Sequence, residues 1–114
     1  MNIQVLKGAG INYDAGVKRF SGKAQLYEKF LEKFVDDPNF DSLEEALKEG
    51  NTDLAFRSSH TLKGIVGNLS MDTFYADLCE LVEMLRAQKS EGVDQQFAKL
   101  KTEYEELLTV LEQE

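Results

Sequence analysis

Residues 52–69 read TDLAFRSSHTLKGIVGNL, and this segment determines how the rest of the chain is interpreted. At ~100° per residue, a helix places Ala55, Leu62, Ile65 and Leu69 on one face and His60 on the opposite face. A lone histidine in a helical protein is usually a hydrogen-bonded core residue. Here the helical phase predicts an exposed one.

The face that carries His60 has an unusual composition for the middle of a helix. Two glycines, Gly64 and Gly67, lie within roughly 60° of His60 on a helical wheel. Glycine inside a helix costs about 1 kcal/mol relative to alanine, so these positions need a reason. We expect them to leave room for another molecule to approach the imidazole. The alternative is that Gly64 only relieves crowding from a neighbouring helix.

Charged and aromatic side chains complete this face. Lys63 follows His60 by one turn, whereas Phe56 and Arg57 precede it by one turn. A histidine ring has a large neutral fraction near neutral pH, and its neutral nitrogen is a competent nucleophile toward phosphorus. A lysine ammonium beside such a ring can pair with phosphoryl oxygens. The face therefore predicts a phosphate-accepting histidine with Lys63 as its cationic partner and Arg57 as a further positive charge.

Helical periodicity continues on both sides of this segment. Apolar residues recur at helical spacing in one stripe over residues 23–47, which Asp36-Asp37-Pro38 interrupts, and again over 71–89 and 93–111. No segment shows the sustained alternation of a strand. Four long amphipathic helices joined by short turns predict an all-α fold, specifically an antiparallel four-helix bundle.

The N-terminal part adds one short element to this prediction. Residues 13–20 are expected to form a short helix with Asn12 as its cap. Residues 1–11 show no clear period and contain two glycines, so they predict an irregular lead-in. The predicted domain is therefore a helical bundle over residues 12–114 with a short extra N-terminal helix.

Composition and charge limit the classes of partner. The 114 residues carry a formal net charge of -8, which disfavours nucleic acid and anionic lipid as partners. No stretch approaches the ~18 apolar residues of a membrane span, and the N-terminus lacks a signal-like apolar run. We therefore expect a cytoplasmic protein that binds neither nucleic acid nor membrane.

A metal site is not expected. The single histidine and the single cysteine fall on different predicted helices and give no ligand spacing. Cys79 has leucine neighbours and is interpreted as a small buried hydrophobe.

Residues 57–69, RSSHTLKGIVGNL, resemble the signature of histidine phosphotransfer (Hpt) domains of two-component phosphorelays. Ser70 stands where a glycine is common in that signature, and Ile65 and Val66 are bulkier than the usual pair. Residues 11–16 and 20–27 also look like the family's N-terminal helix and the start of its first bundle helix. The resemblance covers roughly residues 11–90.

The resemblance implies a phosphocarrier rather than an enzyme. His60 would take a phosphoryl group from an aspartyl phosphate of a receiver domain and relay it to another response regulator. Lys63 would stabilise the phosphoryl group, and Phe56, Arg57, Gly64 and Gly67 would form the docking surface. Magnesium would sit on the receiver, with no cofactor on this chain. The implied partners of this monomeric domain are receiver domains and a hybrid sensor histidine kinase.

Two other functions fit the same residues. The chain could be the phosphoacceptor domain of a chemotaxis-type histidine kinase, or a helical adaptor that docks receivers without phosphotransfer. A coiled-coil assembly through residues 93–111 is a further possibility, although that apolar stripe is needed to complete a four-helix core.

Overall fold

The computed structural model describes residues 1–112, and all regular secondary structure in that range is helical. The all-α prediction is therefore confirmed. Seven helices occur in the described part of the chain: α1 (Ile3–Gly8), α2 (Tyr13–Arg19), α3 (Ala24–Phe34), α4 (Asn39–Glu49), α5 (Thr52–Asn68), α6 (Asp72–Arg86) and α7 (Val93–Glu112). The predicted domain of residues 12–114 extends beyond this part, since residues 113 and 114 lie outside the described residues.

The irregular lead-in predicted for residues 1–11 is wrong. The Asn2 side chain caps α1 by accepting hydrogen bonds from two backbone N–H groups of its first turn. Leu6 of α1 is fully buried, and Ile11 after it is nearly so. A helix of six residues is too short to display a hydrophobic period, so its cap and two core residues were its only signals.

Local capping residues set the boundaries of the helices around the histidine segment. Asn12 caps α2, as predicted, by accepting a hydrogen bond of 3.1 Å from the backbone N–H of Ala15. Gly50 ends α4 with a left-handed φ of 72°, and Asn51 caps α5 directly afterwards. This short connection fixes where α5 starts.

Helices α4, α5, α6 and α7 pack on one another in chain order. Aromatic contacts then bring α7 back against α4. Phe40 of α4 stacks on Tyr104 of α7 at a ring-centroid distance of 3.9 Å and on Phe97 at 5.3 Å. The apolar face of α5 is thereby enclosed, and its Leu62 and Val66 are fully buried.

The turn between α5 and α6 is held by the N-terminal helices. The Tyr27 hydroxyl of α3 donates a 2.6 Å hydrogen bond to the Leu69 carbonyl. Ser70 is buried at a φ of 55°, a left-handed conformation that costs a non-glycine residue roughly 1–2 kcal/mol. Its carbonyl accepts a 2.8 Å hydrogen bond from the Asn12 N–H. Its hydroxyl accepts a 3.1 Å hydrogen bond from Arg19 Nε.

An acidic pair connects α6 to α7 away from this turn. Asp77 on α6 and Glu103 on α7 share a hydrogen bond, and Lys99 Nζ lies 3.1 Å from Asp77 Oδ1. Burial, followed by the Asp77 interaction, raises the pKa of Glu103 to about 7. The hydrogen bond with Glu103 lowers the pKa of Asp77. Glu103 therefore holds a proton at pH values where an ordinary glutamate is ionised.

The raised pKa of Glu103 predicts that the free energy of unfolding decreases as the pH rises toward neutrality. Because the folded-state pKa of about 7 exceeds the ordinary 4.5, the native state binds the extra proton between those values. The stabilisation is full below that window and is lost as the pH rises through about 7. Glu103→Gln should remove this loss, so its melting temperature should change less between about pH 5.5 and about pH 8 than that of the wild type. Glu105→Gln, at an exposed position on the same helix, is the control. If the melting temperatures of wild type and Glu103→Gln change equally between these two pH values, the raised pKa of Glu103 is contradicted.

Candidate site for phosphoryl acceptance

His60 lies on the exposed face of α5, as its helical phase predicts. The opposite side of the helix is buried at Ala55, Leu62 and Val66. Ser59, directly before His60, is also fully buried, and its hydroxyl donates to the Phe56 carbonyl. The core contacts of α5 therefore fix the direction in which the imidazole projects.

An aromatic ring supports the histidine from the preceding turn. The Phe56 and His60 ring centroids are 5.8 Å apart with an interplanar angle of 43°. The Arg86 guanidinium of α6 lies 5.1 Å from the Phe56 ring centroid, a cation–π contact, and its Nε is 3.2 Å from a Glu83 carboxylate oxygen. Arg86 is a residue that sequence reasoning missed. The sequence shows a positive charge near the end of this helix, but the position of Arg86 over Phe56 depends on how α6 packs against α5.

The two predicted cations differ in their surroundings. Arg57 Nε lies 3.3 Å from an Asp53 oxygen on the same helix, and both side chains are largely exposed. Lys63 is half-buried, and its ammonium forms no hydrogen bond or ion pair with any other residue between positions 1 and 112. Its ammonium is therefore available to an incoming anion, whereas the charge of Arg57 is partly neutralised by its neighbour.

The two glycines of this face also differ. A Cβ atom added at Gly64 would meet no atom within 4 Å, so the surface there is open. A Cβ at Gly67 would lie 2.8 Å from Cε1 of Tyr75. The expectation of open space at Gly67 is therefore wrong, because the Tyr75 ring of α6 fills it. Gly67 allows close approach of α6, and only Gly64 leaves room beside the histidine face.

Two grooves meet at Gly64. One, of about 740 Å³, runs between α3 and α5 and is mainly apolar, with Phe30, Phe34 and Ile65 in its walls. The other, of about 400 Å³, is more polar and is lined by Arg19, Lys63, Gly64, Gly67, Asn68, Asp72 and Tyr75. The walls contributed by α2, α3 and α6 were not identified from the sequence, because a helical wheel gives no information about neighbouring helices.

Several other expectations concern groups away from this face. Cys79 is half-buried rather than fully buried. Within residues 1–112, no group of three or more histidine, cysteine, aspartate or glutamate side chains is arranged to hold a metal ion. None of the helices in the same range combines the length and apolar character needed to cross a lipid bilayer.

Comparison with protein families identifies the class. The Hpt domain model matches residues 25–110, from the first turn of α3 to the last turn of α7, and the chain belongs to this family. Hpt domains act in histidine phosphotransfer within two-component systems, as phosphocarriers that interact with receiver domains and histidine kinases. Comparisons with curated proteins and with solved structures gave no significant match.

The contrast between the two glycines is testable by stability measurements. Gly64→Ala should stabilise the protein by about 0.5–1 kcal/mol, because the new methyl group meets no neighbour and alanine favours the helix. Gly67→Ala should fail to give this gain, because its methyl group would displace the Tyr75 ring. Urea unfolding provides the comparison. In a Tyr75→Ala background the stabilising effect of Gly67→Ala should reappear, and equal effects of both alanines in the wild type would contradict this account.

Proposed function

We propose that His60 accepts a phosphoryl group from the aspartyl phosphate of a receiver domain and relays it to another response regulator. The observation that carries the proposal is a combination on one exposed face of α5: the only histidine in the sequence, a lysine one turn away that has no ion pair within residues 1–112, and open surface at Gly64. Membership of the Hpt domain family supports the same chemistry.

The proposed transfer is a displacement at phosphorus. The lone pair of a neutral His60 ring nitrogen forms the N–P bond, while the bond from phosphorus to the aspartyl oxygen breaks and its electrons leave with the carboxylate. Transfer to the next receiver is the reverse reaction with a different carboxylate. Magnesium belongs to the receiver in this scheme, and we assign no metal or cofactor to this chain.

The surrounding residues have separate roles in this scheme. The Lys63 ammonium pairs with the phosphoryl oxygens on His60, where it offsets their negative charge. Phe56 supports the imidazole through its ring contact. Gly64 admits the receiver surface, and Arg57 contributes at the edge of the interface. Gly67 contributes indirectly, because it seats Tyr75 beside the docking surface.

We infer that α4 to α7 form an antiparallel four-helix bundle, with α1 to α3 packed around it. This inference is supported by the short connections between those helices and by the aromatic contacts that join α7 to α4. We further propose that the protein acts as a cytoplasmic monomer that receives phosphate from a hybrid sensor histidine kinase.

Replacement of the histidine tests the central claim. A radiolabelled phosphoreceiver should transfer label to the wild-type chain, and His60→Gln should reduce this transfer below detection while retaining helicity. Because the chain has one histidine, an acid-labile, base-stable label that is present on the wild type and absent from His60→Gln resides on His60. Label that persists in His60→Gln would remove the proposed acceptor, whereas stable binding without any label would favour a docking adaptor.

Replacement of the lysine tests the stabilising role. Lys63→Ala should slow transfer by roughly ten- to a hundredfold, because one charge-assisted contact to the phosphoryl group is lost. The melting temperature should stay close to that of the wild type, since Lys63 makes no ion pair within residues 1–112. The matched control is Lys48→Ala, which removes an exposed lysine from the last turn of α4. Equal rates for the two variants would exclude Lys63 from the transfer step.

A further inference from the structure

Arg19 occupies a defined position at the end of α2. Its Nε donates a 3.1 Å hydrogen bond to the Ser70 hydroxyl, in the turn between α5 and α6. Arg19 forms no ion pair with another described residue. The Nε bond therefore orients the guanidinium while its two terminal nitrogens keep their hydrogen-bonding capacity for another molecule.

This guanidinium faces the docking side of the protein. Arg19 lines the polar groove together with Lys63, Gly64 and Tyr75, and Gly64 also lines the apolar groove. The groove is therefore continuous with the face of His60. The one carboxylate in its walls, Asp72, accepts a hydrogen bond from the Asn12 side chain. Arg19 and Lys63, neither of which has an ion pair among the described residues, thus share one groove on a chain whose net charge is -8.

Ser70, which accepts the hydrogen bond from Arg19, has a backbone conformation that is unfavourable for a serine. Ser70 adopts a φ of 55°, a conformation that glycine takes without strain and that side chains rarely adopt. A glycine at this position could keep the backbone hydrogen bond to Asn12 but would have no hydroxyl for Arg19. The serine therefore has a specific consequence, which is to fix the direction of the Arg19 side chain.

We propose that Arg19 binds an acidic side chain on the surface of the receiver domain that docks over His60, and that Ser70 positions Arg19 for this contact. The inference rests on the proposed function of His60. Lys63 pairs with the phosphoryl group on His60. Arg19 is instead held by Ser70, which follows His60 by ten residues and lies beyond the end of α5. Arg19 therefore acts on docking and not on the chemical step.

A charge at the edge of an interface has a characteristic kinetic effect. Such charges accelerate association with an oppositely charged partner, and this acceleration weakens as salt screens it. Loss of Arg19 should therefore raise the receiver concentration needed for half-maximal transfer and leave the maximal rate unchanged. The difference from wild type should shrink at high ionic strength.

The experiment uses four variants of the full chain: Arg19→Ala, Ser70→Gly, the double variant, and Lys18→Ala as the control. Lys18 is an exposed cation next to Arg19 that lines neither groove. The probes are a radiolabelled phosphoreceiver that labels the wild type and phosphoramidate, a small donor that needs no docking. Melting temperatures establish that each variant is folded.

At low salt, Arg19→Ala should reduce kcat/KM for the receiver by roughly five- to tenfold through KM. Ser70→Gly should give a smaller reduction with the fold retained, and the double variant should be no worse than Arg19→Ala, because both changes remove one contact. Lys18→Ala should have little effect. Labelling by phosphoramidate should be the same in all variants.

Three results would overturn the inference while the role of His60 stands. These are equal receiver kinetics for Arg19→Ala and Lys18→Ala, additive losses in the double variant, or a reduced phosphoramidate rate in Arg19→Ala, which would place Arg19 at the phosphoryl group itself. Failure of the wild-type chain to accept phosphate from any receiver and from phosphoramidate would instead overturn the proposed function and this inference together.

Discussion

Burial of one face of α5 is the constraint on which the site depends. Leu62 and Val66 are fully enclosed by the neighbouring helices, so α5 cannot rotate about its axis without exposing them to water. That fixed rotation turns His60 outward and places Lys63 on the same side. The aromatic stack between Phe40 and Tyr104 contributes indirectly, because it holds α7 against α4 and so closes the core beneath α5.

The contents of the histidine face could be predicted because they depend on a single helix. The spacing of apolar residues in residues 52–69 specifies which side of α5 is buried, and Asn51 and Gly50 mark where it begins. The exposure of His60 follows from this local pattern. The family signature is carried by the same segment, which explains why the class of protein was also recognisable from the sequence.

The features that were missed depend on contacts between helices. Gly67 follows Gly64 by about one turn on the same face of α5. Tyr75 of α6 nevertheless covers Gly67 and leaves Gly64 open. The positions of Arg86 over Phe56 and of Arg19 beside Ser70 require the packing of α6 and α2, which no helical wheel provides. The error at α1 has a different cause, since six residues are too few to reveal a period.

The presence of one histidine on one exposed face has a consequence for the order of events in a relay. In the proposed relay, a receiver that covers His60 would occupy the surface at Gly64 where both grooves meet, so a second receiver could not reach the same nitrogen. Donor and acceptor would then compete for one surface, and the carrier would have to release the first before it binds the second. Such a ping-pong sequence favours moderate affinity over tight binding, because the throughput of the relay cannot exceed the rate at which each complex dissociates.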